Sequence, residues 1–168
     1  TQDRVIIVSN FTSTLNLLQR YCVRQKFPFL RLDGRTKADV RSKMVNEFNS
    51  DSGSDHLGKQ PFVFLLSSKS GGVGLNLIGA NRLILFDSDW NPATDRQAMA
   101  RIHRDGQLKP CFIYRLLLVG SMDEKIYQRQ ITKIGLSDSL MSNEAAKDHD
   151  VASSSDTFSQ EELRDVFG

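Results

Sequence analysis

Two arginines three residues apart carry the chemistry most readily seen in this chain, in Gln97-Ala-Met-Ala-Arg101-Ile-His103-Arg104-Asp-Gly-Gln107. The segment is expected to be helical, and on a helix that spacing sets both guanidiniums on one face. Each guanidinium has a fixed charge and a rigid fork of donors suited to phosphate oxygens, so a matched pair can clamp a transferring phosphoryl group. Taken alone, such a pair is more often a solvated helix face. The surrounding motifs must decide. His103 lies between the arginines and faces away at helical spacing, so it is read as structural.

Two loops supply further candidates. Ser67-Ser68-Lys69-Ser70-Gly71-Gly72-Val-Gly74-Leu-Asn76-Leu77 directly follows an apolar strand. Its glycines let backbone amides approach an anion closely, while the hydroxyls and Lys69 add donors and a charge. It is not the dinucleotide fingerprint, because no third glycine falls at the required interval after Gly74. The second loop, Asp87-Ser-Asp89-Trp90-Asn91-Pro92, holds the chain's single tryptophan. A tryptophan there is either a packing anchor or a contact to a ligand at the carboxyl edge of a parallel sheet.

Two decoys are set aside on physical grounds. Gly53-Ser-Asp-His-Leu-Gly58-Lys59 imitates a P-loop, but Gln60 replaces the magnesium-reaching hydroxyl and the stretch precedes a strand instead of following one. Asp123-Glu124 imitates the acidic pair after a strand, yet Ser121 and Glu124 form a capping box that explains the carboxylate as a helix start. With neither a phosphate cradle nor a magnesium carboxylate, the chain reads as half of a nucleotide site and not as a complete nucleotide hydrolase.

The elements that must position these residues alternate. Apolar, β-branched runs at 4–9, 29–33, 62–66, 82–86 and 111–116 read as strands. Leu15, Leu17, Leu18, Tyr21 and Cys22 recur at helical spacing, as do Val40, Met44, Val45 and Phe48 in a helix over 38–48. Asn91-Pro92 supplies an N-cap and first-turn proline for the helix expected to carry the arginines. This alternation predicts a three-layer α/β domain, with right-handed crossovers and a parallel sheet covered on both faces. The glycine loop, Trp90 and the arginine helix are then expected to share the carboxyl rim.

Residues 1–137 hold 20 basic and 12 acidic side chains, a balance of +8, whereas 138–168 hold eight acids against Lys147 and Arg164, a balance of −6. A basic body suits a polyanionic partner. Ser50 to Gln60 is polar and glycine-containing and is expected to be a mobile loop. A polar, acidic, serine-rich stretch follows the last apolar pattern, and Ser159-Gln-Glu-Glu162 makes a capping box for a short terminal helix with Leu163 and Phe167. No stretch has the apolar length of a membrane span or the make-up of a signal peptide, and Cys22 and Cys111 have no metal or redox spacing. The expectation is an intracellular chain with two reduced thiols and no metal site of its own.

Val5-Ile-Ile-Val-Ser-Asn10, Arg31-Leu-Asp-Gly34, Leu66 to Leu77, Asp87 to Pro92 and Gln97 to Gln107 together resemble the second RecA-like lobe, the helicase C-terminal lobe, of a Swi/Snf-type ATPase. The motifs occur in family order and span residues 5 to about 135. Ile113-Tyr-Arg-Leu116 and Glu124-Lys-Ile-Tyr-Gln-Arg-Gln130, continued by Ile131-Thr-Lys133, resemble the recombination-repair or Rad-fifty-four branch, most closely its B paralogue and fungal counterpart. On this resemblance, residues 1–136 are the RecA-like lobe, 137–158 a flexible acidic linker and 159–168 a short helix.

The resemblance implies an ATP-driven translocase on double-stranded DNA, acting in the nucleus beside a strand-exchange recombinase. It makes Arg101 and Arg104 arginine fingers toward ATP and Mg2+ held mainly by a first RecA-like lobe. Gln97 and the loop containing Gly72, Gly74 and Asn76 would line the same cleft. Ser68 and Lys69 would touch phosphates of the tracked strand, with Ser9, Asn10 and Arg31 near the same backbone and Trp90 on the complementary strand. An RNA helicase lobe of the same superfamily and a non-catalytic RecA-like adaptor are the alternative readings.

Overall fold

Alternating apolar side chains divide between two cores, one on each face of a five-stranded sheet. A computed structural model describes residues 3–50, 60–70 and 75–144, with side-chain burial given through residue 134. The strands are β1 (Val5–Ser9), β2 (Phe29–Leu32), β3 (Val63–Ser67), β4 (Arg82–Leu85) and β5 (Phe112–Arg115), each within about two residues of its expected bounds. All four pairings are parallel, in the order β2-β3-β1-β4-β5. Ile6, Phe64 and Leu83 align across the sheet and face one core with Val8, Leu66 and Leu85; Val5, Ile7, Val63 and Leu65 face the other.

Helix α1 (Thr12–Gln25) closes the second core with Leu15 and Cys22, while Leu18 is partly buried. Leu17 and Tyr21, expected on that apolar stripe, are 63% and 56% exposed, so only part of the stripe faces the sheet. Helix α2 (Ala38–Asn49) and helix α3 (Pro92–Met99) lie with the first core through Phe48 and Ala98. The sheet is therefore covered on both faces at its centre. At the β5 edge, Phe112, Ile113 and Tyr114 are all exposed, so the cover expected there is incomplete.

Arg4 fastens the amino edge. Its buried guanidinium donates to the carbonyls of Phe48 and Ser50 and to Gln60 Oε1, supplying the positive charge that the last turn of α2 lacks. Gly79 sits so close beneath α2 that a Cβ there would lie 2.3 Å from the Phe48 carbonyl oxygen and 2.9 Å from the Asn49 Cα. Only glycine fits that approach.

The chain leaves β5 through Gly120, in the left-handed region at φ 72°, and enters α4 (Met122–Glu144). Ser121 Oγ accepts from Asp123 N at 3.2 Å and the Glu124 carboxylate accepts from Gly120 N at 2.7 Å, so Ser121 and Glu124 serve a helix start, as read from the sequence. The α4 backbone continues to Glu144, eight residues beyond the expected lobe boundary at 136. The P-loop decoy, most of the 50–60 loop and the Ser159 capping box lie outside the described residues.

Candidate nucleic-acid and nucleotide sites

Three strand-end loops are tied together at the carboxyl edge. The Asp87 carboxylate, after β4, accepts from the Ser9 hydroxyl and from the Asn10 amide, the latter at 2.7 Å; Asn10 Oδ1 in turn accepts from the Ser68 hydroxyl after β3. This is the crevice where the chain order switches sides of β1, the usual place for a ligand on an open parallel sheet. Ser9 is 1% exposed and its hydroxyl also accepts from the Phe11 amide, so it organises the loops from beneath.

A cleft of about 400 Å3 opens beside these bonds, lined by Asn10, Phe11, Thr12, Ser13, Lys69 and Ser70 among others. Phe11 at the N-cap of α1 offers no side-chain bond to the first-turn amides, and no acid stands in that turn. An uncapped helix start beside an exposed lysine and hydroxyls favours an anion such as a backbone phosphate. Sequence reasoning chose Asn10, Ser68 and Lys69 but missed Thr12 and Ser13. A helix start bearing hydroxyls but no cap was the available signal.

Arg31 is placed differently. Its guanidinium donates to Asp33 at 3.0 Å and to Asn16 and Gln19, both at 2.7 Å. The Arg35 amide and then Arg31 hold the Asp33 carboxyl below its ordinary value, against the opposing effect of burial. Arg31 thus fixes the turn that brings Gly34 to the cleft wall. Trp90 is 43% exposed, in the loop that Asp89 Oδ1 tightens by accepting from Asn91 N at 2.9 Å. Asn91 Oδ1 accepts from Ala93 N at 2.9 Å, and Pro92 opens α3, as the sequence indicated.

The arginine pair is not on a helix and not on the carboxyl rim. Helix α3 ends at Met99, and its eight residues run back from that rim over about 12 Å. The following carbonyls are taken by tertiary partners: Leu77 N donates to Arg101 O at 3.0 Å, and Gln107 Nε2 donates to the carbonyls of Ile102, Ile78 and Ala80. Gly106, at φ 95°, turns the chain back. Arg101 and Arg104 therefore lie beside the segment entering β4, toward the amino edge. Asn49 completes the staple by donating to Asn76 O at 2.8 Å and accepting from Gly79 N at 2.9 Å. Gln107 and Asn49 were not identified from the sequence, because the bonds of Gln107 to Ile78 and Ala80, and those of Asn49 with Asn76 and Gly79, reach partners 27 to 30 residues away.

Arg101 is 8% exposed, whereas His103 and Arg104 are exposed. Burial, then the charge of Arg104, push the Arg101 guanidinium below its ordinary value. Arginine nonetheless keeps its proton, so Arg101 holds a buried positive charge close to that of Arg104. Asn76 adjoins Arg101 through the Leu77 bond, and its Oδ1 is buried with no hydrogen bond among the described residues. Gln97 is exposed on α3, while Gly72 and Gly74 lie outside the described residues. The donor set suits phosphoryl oxygens, and no group of three His, Cys, Asp or Glu among the described residues could hold a metal ion. Nor is any described helix long and apolar enough to cross a membrane.

Comparison with known proteins agrees with this architecture. Residues 1–106 match the helicase conserved C-terminal domain. The chain is 50% identical over 167 residues to the DNA repair and recombination protein RAD54 of Oryza sativa subsp. japonica, covering 99% of this chain and 16% of that protein. It is 51% identical over 166 residues to a RAD54-like DNA repair and recombination protein of Drosophila erecta, covering 98% and 19%. The chain thus spans under a fifth of these relatives' lengths. The crystal structure of the C-terminal part of the Fun30 ATPase domain matches with a TM-score of 0.68 and 40% identity, over 76% of this chain and 39% of that one. The parallel sheet, the order of its motifs and the extent of these matches lead to one assignment: the chain belongs to the helicase C-terminal domain family and resembles that lobe in Swi/Snf-type ATPases of the RAD54 kind.

Proposed function

We propose that this chain is the second motor lobe of an ATP-dependent double-stranded DNA translocase acting in homologous recombination and repair in the nucleus. The observation that carries the reading is the placement of two anion-directed sites on one rigid sheet: an open cleft with Lys69 at the carboxyl edge, and a buried Arg101 beside Arg104 toward the amino edge. The cleft serves the DNA backbone, with Asn10, Ser68 and Lys69 on phosphates and Trp90 on the second strand. Backbone contacts carry no sequence information, so binding is sequence-tolerant and salt-dependent.

Arg101 and Arg104 serve ATP and Mg2+ held on a first lobe, together with Asn76, Gln97 and the loop of Gly72 and Gly74. ATP supplies the phosphoryl group, and the arginines stabilise charge on it only when the two lobes close. Closure is thereby linked to the grip on DNA, and repeated closing and opening moves the duplex past the protein. The strand-exchange recombinase is a partner reached through other regions. On this reading the lobe alone does not hydrolyse ATP.

The test is ATP hydrolysis by the complete protein with duplex DNA, single-stranded DNA or RNA as activator, in the native form and in Arg101→Ala and Arg104→Ala variants. Stimulation by duplex DNA that is lost in both variants is expected. Stimulation by RNA with duplex DNA inert, or near-normal turnover in both variants, would overturn the proposal.

A further inference from the structure

A buried polar knot joins α4 to the tryptophan loop. Asp95 of α3 and Gln130 of α4 are 3% and 2% exposed, and Arg115 closes the end of β5. Gln130 uses its whole amide: Nε2 donates to Asp95 Oδ2 at 3.0 Å and to the carbonyl of Asp89, while Oε1 accepts from Arg115 Nη1 at 3.1 Å. Arg115 also pairs with the Asp95 carboxylate and lies over the Tyr127 ring at 4.8 Å. Four elements thus meet at one side chain.

The polarity of the knot specifies its geometry. The Arg115 and Asp95 charges compensate each other, and each Gln130 group faces a complementary partner, so among the described residues none of these three side chains has an unpartnered buried polar atom to reward a shifted arrangement. The Asp89 carbonyl belongs to the residue immediately before Trp90. Holding that carbonyl from α4, and Asp95 from the same amide, sets the Trp90 loop against the first turn of α3. Gln130, itself 2% exposed, thus bonds the residue that precedes Trp90.

We infer that Gln130 is a positioning residue for the Trp90 loop, fixing the lobe's contact with the second DNA strand from the buried side of α4. The inference rests on the proposal that Trp90 meets DNA. Gln130→Met keeps the length and bulk of the side chain but removes both donors and the acceptor. Gln130→Glu keeps the shape and the bond from Arg115 but sets a second carboxylate against Asp95 and the Asp89 carbonyl.

The experiment measures duplex-stimulated ATP hydrolysis of the complete protein, separating maximal turnover from the DNA concentration giving half-maximal activation. Trp90→Ala, Gln130→Met and Gln130→Glu are each expected to raise that concentration about tenfold, which corresponds to about 1.4 kcal/mol, with maximal turnover of the two Gln130 variants within about twofold. Gln130→Met added to Trp90→Ala is expected to raise it no further, because it acts through the same loop. A Gln130 variant that matches the native protein while Trp90→Ala is impaired would overturn the inference alone. So would a double variant impaired about a hundredfold, or maximal turnover falling in step with a lowered unfolding temperature in both Gln130 variants. An unaffected Trp90→Ala variant would overturn the inference together with the DNA reading on which it rests.

Discussion

The Lys69 cleft and the arginine segment, both proposed to meet phosphate, are built in opposite ways. The cleft is open: an exposed lysine, hydroxyls and an uncapped helix start, joined through Asn10 and Asp87. The arginine segment is closed: Arg101 is buried, its carbonyl bonded to Leu77, and the following turn is stapled by Gln107 and braced by Asn49. A surface that must slide along a changing polymer gains from adaptable contacts, whereas charge aimed at one transition state must be preorganised. The two sites should therefore fail differently when altered.

The largest expected effect is on chemistry. Replacing Arg101 by Met is expected to lower duplex-stimulated turnover about a thousandfold, in the range for arginine fingers, while the unfolding temperature stays within about 5 °C of the native value because Met keeps the unbranched apolar bulk of the buried stem. A simultaneous collapse in stability would show that Arg101 is structural and erase the contrast with the cleft.

Next is the support beneath the arginines. Gly79→Ala is expected to destabilise the lobe by about 1–3 kcal/mol through the clash with Phe48 and Asn49, and to weaken turnover more than DNA binding. Thermal unfolding with parallel assays checks this; an unchanged unfolding temperature would mean that the close approach is readily relaxed.

Lys69→Ala tests the open site on a smaller scale. It is expected to reduce the slope of log binding constant against log salt by about one charge, with similar effects on unrelated duplexes. Titrations at several salt concentrations measure it, and an unaltered slope would remove Lys69 from the phosphate contacts.

The smallest effect concerns the turn beneath the cleft. The Asp33 carboxyl is lowered from its ordinary 3.8 by the Arg35 amide, with Arg31 adding to it. Its contribution to stability is complete above that ordinary value and is lost as the pH falls through the lowered folded value. Acid unfolding curves for the native protein and Asp33→Asn should therefore differ above about pH 4 and converge below it. Curves that stay equally separated at all pH values would contradict the assignment.

Most of the fold was legible because the central strands are short continuous apolar runs buried on both faces, as in β3, where every residue is buried, and because stretches of helical spacing separate the strands. The start of α3 was equally plain, since Asn91 and Pro92 act locally. Its end was not. The arginine motif keeps helical spacing, but Leu77 and Gln107 take the carbonyls that a longer helix would need. Gly106 was the one local signal of the turn. The shared rim failed for a related reason: a parallel crossover must carry the chain back to the amino edge before β5, and the arginines lie on that return. Arg31 suited a phosphate by type, but Asn16, Gln19 and Asp33 become its neighbours only once α1 packs beside β2.

On the proposed function, one lobe carries separate sites for DNA and for ATP. The most direct test measures duplex-DNA affinity and maximal ATP turnover side by side in the complete protein, for Arg101→Ala and Lys69→Ala. Arg101→Ala is expected to lose turnover while keeping its affinity, and Lys69→Ala to lose affinity while keeping turnover at saturating DNA. Parallel loss of both quantities in both variants would contradict it.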